Sequence, residues 1–211
     1  MPTAARRKSA ARATASRTTR KGPRPRKPST AASAAATVKG ALAGAVHAVT
    51  KRLPGAAEDL DAIALLETDH RRLEALLKQG EDTTEAAVQG RRRLLDTLTS
   101  ALTIHELIEE KILYPALKKY PEARAIVLEG FQEHHVADVI VKELHQVSAH
   151  TEQWGAKFKV LKESIEHHIG EEEGPMFRTA RGVMARDELE LLGARMRKMK
   201  SDAERRERSA S

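Results

Sequence analysis

Two histidine–glutamate pairs about sixty residues apart strongly restrict how this chain can fold. In each pair the glutamate follows the histidine by four residues: His105 and Glu109 lie within HELIEE, and His168 and Glu172 lie within HIGEEE. On an α-helix, residues four apart are separated by about 40° around the axis and about 6 Å along it. Two facing helices could therefore bring imidazole nitrogens and carboxylate oxygens into one small volume. This arrangement is typical of a metal site inside a helical bundle.

The hydrophobic pattern predicts helices throughout the region after residue 55. Apolar residues recur with a period of about 3.6, without the alternation or hairpin signals of β-strands. Four stripes are apolar until a histidine, or a histidine and an acid, interrupts them. They are Ile63, Leu66, His70, Leu73 and Leu77; Leu98, Leu102, His105, Glu109 and Ile112; Val127, Phe131, His134, Asp138 and Val141; and Phe158, Leu161, Ile165, His168, Glu172 and Met176. With breaks near 80–90, at Pro121 and at 151–155, the pattern predicts an all-α, antiparallel up-down-up-down four-helix bundle with polar groups in its core.

Helical phase distinguishes between neighbouring histidines. His168, and not His167, continues the stripe of the fourth helix. His134 shares a face with the apolar residues of the third helix, whereas His135 would lie on a polar face. The stripes therefore select one histidine from each helix.

The acids are selected by the same criterion. Glu109 is in phase with His105, whereas Glu110 is rotated away and is expected to be exposed or to support a ligand from outside. Asp138 follows His134 by four residues and is open to three interpretations: a further ligand, an acceptor for an imidazole N–H, or an ordinary polar residue. Burying four imidazoles and two carboxylates without a cation would be very costly, so their coincidence favours a metal site.

The absence of cysteine limits the chemistry of such a site. The chain has no cysteine, which excludes thiolate zinc sites, iron–sulfur clusters, disulfides and thiol catalysis. Any metal must be held by histidines and carboxylates. The same absence is consistent with the cytoplasm, which is the location we expect.

Charge and composition divide the chain into three parts. Residues 1–55 contain 13 lysines and arginines and no acid, whereas the remaining 24 basic residues and all 30 acidic residues lie after residue 55. We predict a disordered basic arm over 1–55, rich in Ala, Arg, Ser, Thr and Pro, in which the apolar spacing favours a weak helix over 37–53. The bundle is expected over 56–182, followed by a C-terminal helical extension and charged tail over 183–211.

The basic arm has three interpretations. It is a solubilising tail, a segment that binds nucleic acid without sequence preference, or a stretch resembling an organellar transit peptide. It has no aromatic residue that would stack on bases. No long apolar run suggests a secretory signal or a membrane span, so no membrane association is expected.

Four motifs in order resemble the hemerythrin-like, or HHE cation-binding, domain of the bacterial type. They are Asp69-His70-Arg71, HELIEEKILYP from His105 to Pro115, Glu133-His134-His135, and HHIGEEEGPMF from His167 to Phe177. The resemblance covers about residues 58–182 and implies a non-haem di-iron site in an antiparallel four-helix bundle. The implied ligands are His70, His105, Glu109, His134, His168 and Glu172.

Two departures separate the chain from the classical oxygen-carrying hemerythrins. Those proteins have a second histidine four residues after the first on the third helix, where this chain has Asp138. On the fourth helix they have an aspartate five residues after the histidine, where Glu172 follows His168 by four. Reversible oxygen carriage therefore does not follow from the resemblance.

The expected function is that of a non-enzymatic protein that holds two iron ions, with manganese or zinc as other candidate metals. It would bind or sense oxygen or a related small ligand, or hold iron, because a histidine-rich site with few carboxylates favours binding over cleavage of the O–O bond. Glu109 and Glu172 are the expected bridging carboxylates. One alternative is a di-iron oxidase or ferroxidase that uses the same site. Another is a nucleoid-associated protein that binds nucleic acid through the basic arm. The sequence does not specify an oligomeric state.

Overall fold

The computed structural model describes residues 60–210, which contain seven α-helices and no β-strand. The helices are α1 Ala62–Glu81, α2 Val88–Ile108, α3 Tyr114–Leu117, α4 Arg124–Gln146, α5 Glu152–Glu171, α6 Phe177–Val183 and α7 Arg186–Ala210. The predicted disordered arm over 1–55, including its weak helix over 37–53, lies outside the described residues.

Two of the bundle helices are each interrupted by one π-helical turn at equivalent positions. The first π turn, Glu109–Leu113, joins α2 to α3, and the second, Glu172–Met176, joins α5 to α6. Each begins at the glutamate of a histidine–glutamate pair. Proline, which lacks a backbone N–H, lies just after the first turn as Pro115 and inside the second as Pro175. Such turns often occur at functional sites, where they change the direction of side chains.

The four-helix bundle predicted from the sequence is confirmed. Its members are α1, the continuous α2–α3 helix, α4, and the continuous α5–α6 helix. Helix α1 packs against α2 and α5, and α4 packs against the same two helices. Short connections between these neighbours give the antiparallel arrangement.

The connections lie close to the predicted breaks, with one shift. The turn before α5 covers 147–151 instead of 151–155. The reason is that Thr151 caps α5: its hydroxyl accepts a hydrogen bond of 3.3 Å from the backbone N–H of Trp154, so the helix begins earlier than the glycine at 155 suggests. Asp61 caps α1 in the same way, accepting from the N–H of Ala64 at 2.8 Å.

Two apolar clusters lie along the bundle, with a polar layer between them. Leu66, Tyr114 and Phe177 belong to one cluster, and Trp154 and Phe158 belong to the other. Complete burial of a leucine or phenylalanine side chain, such as that of Leu66 or Phe158, stabilises the fold by roughly 1.5–3 kcal/mol. The predicted histidines and glutamates occupy the layer where each helix passes from one cluster to the other.

Helix α7 packs along α1 and α2 outside the four-helix bundle. Its residues Leu189, Leu192 and Met196 are buried in the first apolar cluster. A Cβ atom on Gly193 would lie 2.5 Å from the carbonyl oxygen of Leu60, so a residue without a side chain is needed at this close approach. Helix α7 extends through Ala210, but its buried residues end at Met196, so its last turns are charged and largely exposed.

Candidate metal centre

The six residues selected from the sequence lie together in the middle of the bundle. His70 comes from α1, His105 from α2, His134 from α4 and His168 from α5. The two glutamates are the first residues of the two π turns. All six are buried: His70, His105, Glu109, His134, His168 and Glu172 are at most 5% exposed.

The potential ligand atoms form two groups that share Glu109. The first group contains His70, His105, Glu109 and Glu172, and the second contains Glu109, His134 and His168. Within each group the atoms lie within 4.8 Å of one another. Oε2 of Glu172 also lies 3.5 Å from Nε2 of His168, so both glutamates border both groups. Imidazole and carboxylate donors of this kind are ligands that divalent transition-metal cations accept.

Several polar atoms in this centre have no hydrogen-bond partner within residues 60–210. They are both ring nitrogens of His105 and both carboxylate oxygens of Glu109. Each buried polar group left without a partner costs roughly 1–3 kcal/mol. Nε2 of His105 lies 3.3 Å from Oε2 of Glu109. A cation bound between these residues would accept electron pairs from both. The residues present therefore fit a bound metal.

Each of the four histidines directs Nε2 into the centre and presents Nδ1 to a carboxylate outside it. The Nδ1-to-oxygen distances are 2.9 Å from His70 to Glu173, 3.1 Å from His134 to Glu110, 2.8 Å from His168 to Glu133, and 4.0 Å from His105 to Asp69. The first three are hydrogen bonds, whereas the last is too long for one. An acceptor at Nδ1 fixes the proton there and leaves the Nε2 lone pair free for a metal.

Asp69 connects the centre to α7. Its other carboxylate oxygen accepts from the ammonium group of Lys200, 131 residues away in the sequence. Burial alone would raise the pKa of Asp69, but His105 and Lys200 outweigh it and lower that pKa below its ordinary value. Asp69 therefore stays ionised beside His105.

Tyr114 closes one side of the centre. Its hydroxyl donates a hydrogen bond of 2.9 Å to Oε1 of Glu172, and its ring stacks against His134 at 5.4 Å between centroids. A Cβ atom on Gly130 would lie 2.6 Å from this hydroxyl, so glycine leaves room for the phenol. Burial, together with Glu172 and Glu109, holds the pKa of Tyr114 far above its ordinary value, so the hydroxyl remains a donor.

The two bridging candidates differ in their electrostatics. Burial and the adjacent Glu172 raise the pKa of Glu109 well above its ordinary value. Burial would also raise the pKa of Glu172, but His168 and His70 lower it below the usual range. Burial opposes the charging of these two histidines, yet Glu172 raises the pKa of each. By contrast, complete burial lowers the pKa of His105 to about 4.

Glu106 is a buried acid outside the six residues that the helical phase selects. It is 8% exposed, and its Oε1 has no hydrogen-bond partner among the described residues. Its pKa is raised to about 7, chiefly by burial; His134 and Lys142 oppose the rise, and the nearby carboxylates of Asp138 and Glu110 add to it. Its burial could have been predicted from the sequence, because it follows Leu102 by four residues and so continues a buried row of α2.

Residues that the helical phase excluded lie outside the centre. His135 is exposed, and the side chain of His167 is 66% exposed. Glu110 supports His134 from outside, as described above. Asp138 lies at 3.4 Å from the Lys142 ammonium with a side chain that is 47% exposed, so of its three interpretations the structure favours that of a polar residue outside the ligand group.

Fold and site together define a helical-bundle protein with a buried histidine–carboxylate centre suited to cations. Residues 61–180 match the hemerythrin HHE cation-binding domain, which is more than half of the chain. The chain therefore belongs to this family, as the sequence motifs indicated. Helix α7, with Lys200, lies beyond the matched residues.

A solved structure supports the same fold. The crystal structure of a hemerythrin HHE cation-binding domain-containing protein from Mycobacterium kansasii superposes with a TM-score of 0.62 at 24% sequence identity. The match covers 68% of this chain and 87% of that one. No curated protein matches the chain. Within residues 60–210, no helix has both the length and the apolar character needed to span a bilayer.

Proposed function

We propose that this protein is a non-haem di-iron protein that binds or senses oxygen or a related small ligand, or holds iron. The observation that supports the proposal most directly is the sharing of Glu109 between two groups of potential ligand atoms. Four histidines with two carboxylates form a donor set that suits iron, although manganese and zinc accept the same ligands. Bound iron would supply a redox-active centre at which a small ligand such as oxygen is held.

The protein's own residues would prepare this centre. The outer carboxylates hold the imidazole rings with Nδ1 protonated, and Tyr114 holds one oxygen of Glu172. The apolar clusters on either side exclude bulk water, which strengthens electrostatic interactions inside. These features describe a preorganised binding site for metal.

Metal analysis of matched histidine variants tests the proposal. After reconstitution with iron, the wild-type chain is expected to contain about two ions, as its two ligand groups suggest. His134→Ala and His168→Ala should lower this number, whereas His135→Ala and His167→Ala, which alter the exposed neighbours, should not. Ferric charge-transfer absorption in the near ultraviolet should follow the metal content. A wild-type protein that takes up no metal would contradict the proposal.

A second candidate, a di-iron oxidase or ferroxidase, is favoured by one observation. The phenol of Tyr114 lies within hydrogen-bonding distance of Glu172, and a buried phenol beside a redox metal is a potential one-electron donor. Repeated oxidation of added ferrous iron, with many turnovers per chain, would support this candidate. A reaction that stops once the two sites are filled would support the non-enzymatic function.

A further inference from the structure

A groove of about 380 Å³ lies between α7 and the end of α2, beside the first π turn. Its floor is apolar and consists of Leu107, Ile112, Met199 and Ala203. Leu107 is half-buried but belongs to neither apolar cluster of the bundle. The groove therefore presents apolar surface that the packed core does not use. None of the six predicted metal ligands lines it, so it is separate from the metal centre.

Two arginines of α7 border this floor. Arg195 and Arg206 are about three helical turns apart, which places them on the same side of the helix and about 16 Å apart along its axis. Neither forms an ion pair within residues 60–210. The other two charged residues of the lining, Lys198 and Asp202, pair with each other at 2.8 Å and so offset each other's charge. The groove therefore carries two unpaired guanidinium groups.

The volume and the lining of the groove define the kind of ligand that fits it. Small-molecule sites have volumes of about 300–1,000 Å³, whereas a stable protein interface buries about 800 Å² on each partner. The floor suits a hydrocarbon, because contact with one removes apolar surface from water. A guanidinium group binds a carboxylate through two parallel hydrogen bonds. A small amphipathic anion therefore matches both parts of the lining.

We infer that this groove binds an aliphatic carboxylate. The hydrocarbon chain lies along Leu107, Ile112 and Met199, and the carboxylate pairs with Arg195 or Arg206. The two arginines lie on either side of Met199 along α7, so a carboxylate at either end of the floor meets a guanidinium group. This site uses no residue of the metal centre and does not depend on the proposed function.

Calorimetric titration of the full chain with dodecanoate, below its micelle-forming concentration, tests the contributions of headgroup and chain. Two probes serve as comparisons: dodecyltrimethylammonium has a long chain and the opposite charge, and hexanoate has the same headgroup and a shorter chain. Each should bind at least about tenfold more weakly than dodecanoate. Equal binding of dodecanoate and dodecyltrimethylammonium would overturn the inference.

Arginine variants test the recognition of the carboxylate. The double variant Arg195→Gln with Arg206→Gln should weaken dodecanoate binding by at least about tenfold. Leu107→Gln, which makes part of the floor polar, should weaken binding as well. The control is Arg186→Gln, which removes an arginine of the same helix whose side chain is 89% exposed and lies outside the groove. Wild-type affinity in the double variant, or an equal loss in the control, would overturn the assignment.

NMR spectroscopy of the methionine methyl groups locates the ligand. The methyl resonance of Met199 should shift saturably with added dodecanoate, whereas that of Met184, which is buried and outside the groove lining, should not. A Met199 resonance that stays unchanged while dodecanoate binds would place the ligand elsewhere. Adsorption of the chain to anionic phospholipid vesicles without binding of monomeric dodecanoate would identify a membrane surface and would equally overturn the groove as a ligand site.

Discussion

The hydroxyl of Tyr114 donates to Oε1 of Glu172 at 2.9 Å, whereas the equivalent position after the second histidine–glutamate pair is Phe177. Phe177 stacks on His70 at 5.9 Å between ring centroids and brings no donor. Consequently Glu172 accepts a hydrogen bond from a phenol, whereas neither oxygen of Glu109 has a hydrogen-bond partner among residues 60–210, although its Oε2 lies 3.3 Å from Nε2 of both His105 and His134. The two halves of the centre repeat in sequence and differ in how firmly each glutamate is held.

Removal of the Tyr114 hydroxyl should destabilise the metal-free protein. Tyr114→Phe deletes the donor to a buried, ionised Glu172 and is expected to lower the free energy of unfolding by roughly 1–3 kcal/mol. Urea denaturation measures the change. Tyr120→Phe is the matched control, because that hydroxyl contacts Glu188 at 3.2 Å on a partly exposed surface. An equal decrease in the free energy of unfolding in both variants would mean that the buried hydrogen bond stabilises the fold no more than the partly exposed one.

Lys200 should influence metal affinity although it lies on α7. Lys200→Met removes the cation that holds Asp69 beside His105, and loss of such outer support typically weakens metal binding by about tenfold or more. Competition with a chelator measures this affinity. Lys198→Met on the same helix is the control, because Lys198 pairs at 2.8 Å with Asp202 and is 78% exposed. If both variants keep wild-type affinity, α7 does not support the centre.

Glu106 should make stability depend on pH. Its folded pKa of about 7 exceeds the ordinary value of 4.5, so its proton stabilises the fold below about 4.5, and this stabilisation is lost as pH rises through about 7. Asp138 and Glu110 face it and favour the protonated form, while His134 and Lys142 oppose them.

The measurement is the pH dependence of unfolding in chelator for the wild type and for Glu106→Gln. Above pH 7 the variant should be more stable by up to about 3 kcal/mol, and the difference should vanish toward pH 4.5. If the free energies of unfolding of the two proteins change with pH in parallel across this range, the pKa of Glu106 is not raised by folding.

The basic arm remains a predicted site of polyanion binding. The full chain should retard duplex DNA of any sequence at low salt, with affinity falling steeply as salt rises. A chain that begins at Ala56 should bind little DNA yet retain its metal, since all six predicted ligands follow that residue. DNA binding that survives this truncation would place the binding surface on the bundle. Cytoplasmic location likewise remains a prediction.

The sequence was sufficient for the bundle and for the convergence of the six selected residues. Helical phase separates His134 from His135 and His168 from His167 because residues on one face of a helix recur every three or four positions. The cost of burying polar groups explains why each interrupted stripe indicates a shared centre. This reasoning needs only the geometry of single helices and the rule that apolar stripes face inward.

Tertiary structure decided which side chains support those six. The supporting contacts join residues that are far apart in the sequence. Glu133 and His168 are 35 residues apart, Tyr114 and Glu172 are 58 apart, and Asp69 and Lys200 are 131 apart. No periodicity within one helix encodes them, because they depend on how the helices are rotated and aligned against one another. The sequence did not predict the π turns at Glu109 and Glu172 for a related reason. An α-helical period assumes the same rotation at every residue, so it cannot locate a single wider turn within the helix. The sequence thus determined the bundle and its inward-facing polar residues, while packing between helices determined the supports that orient them.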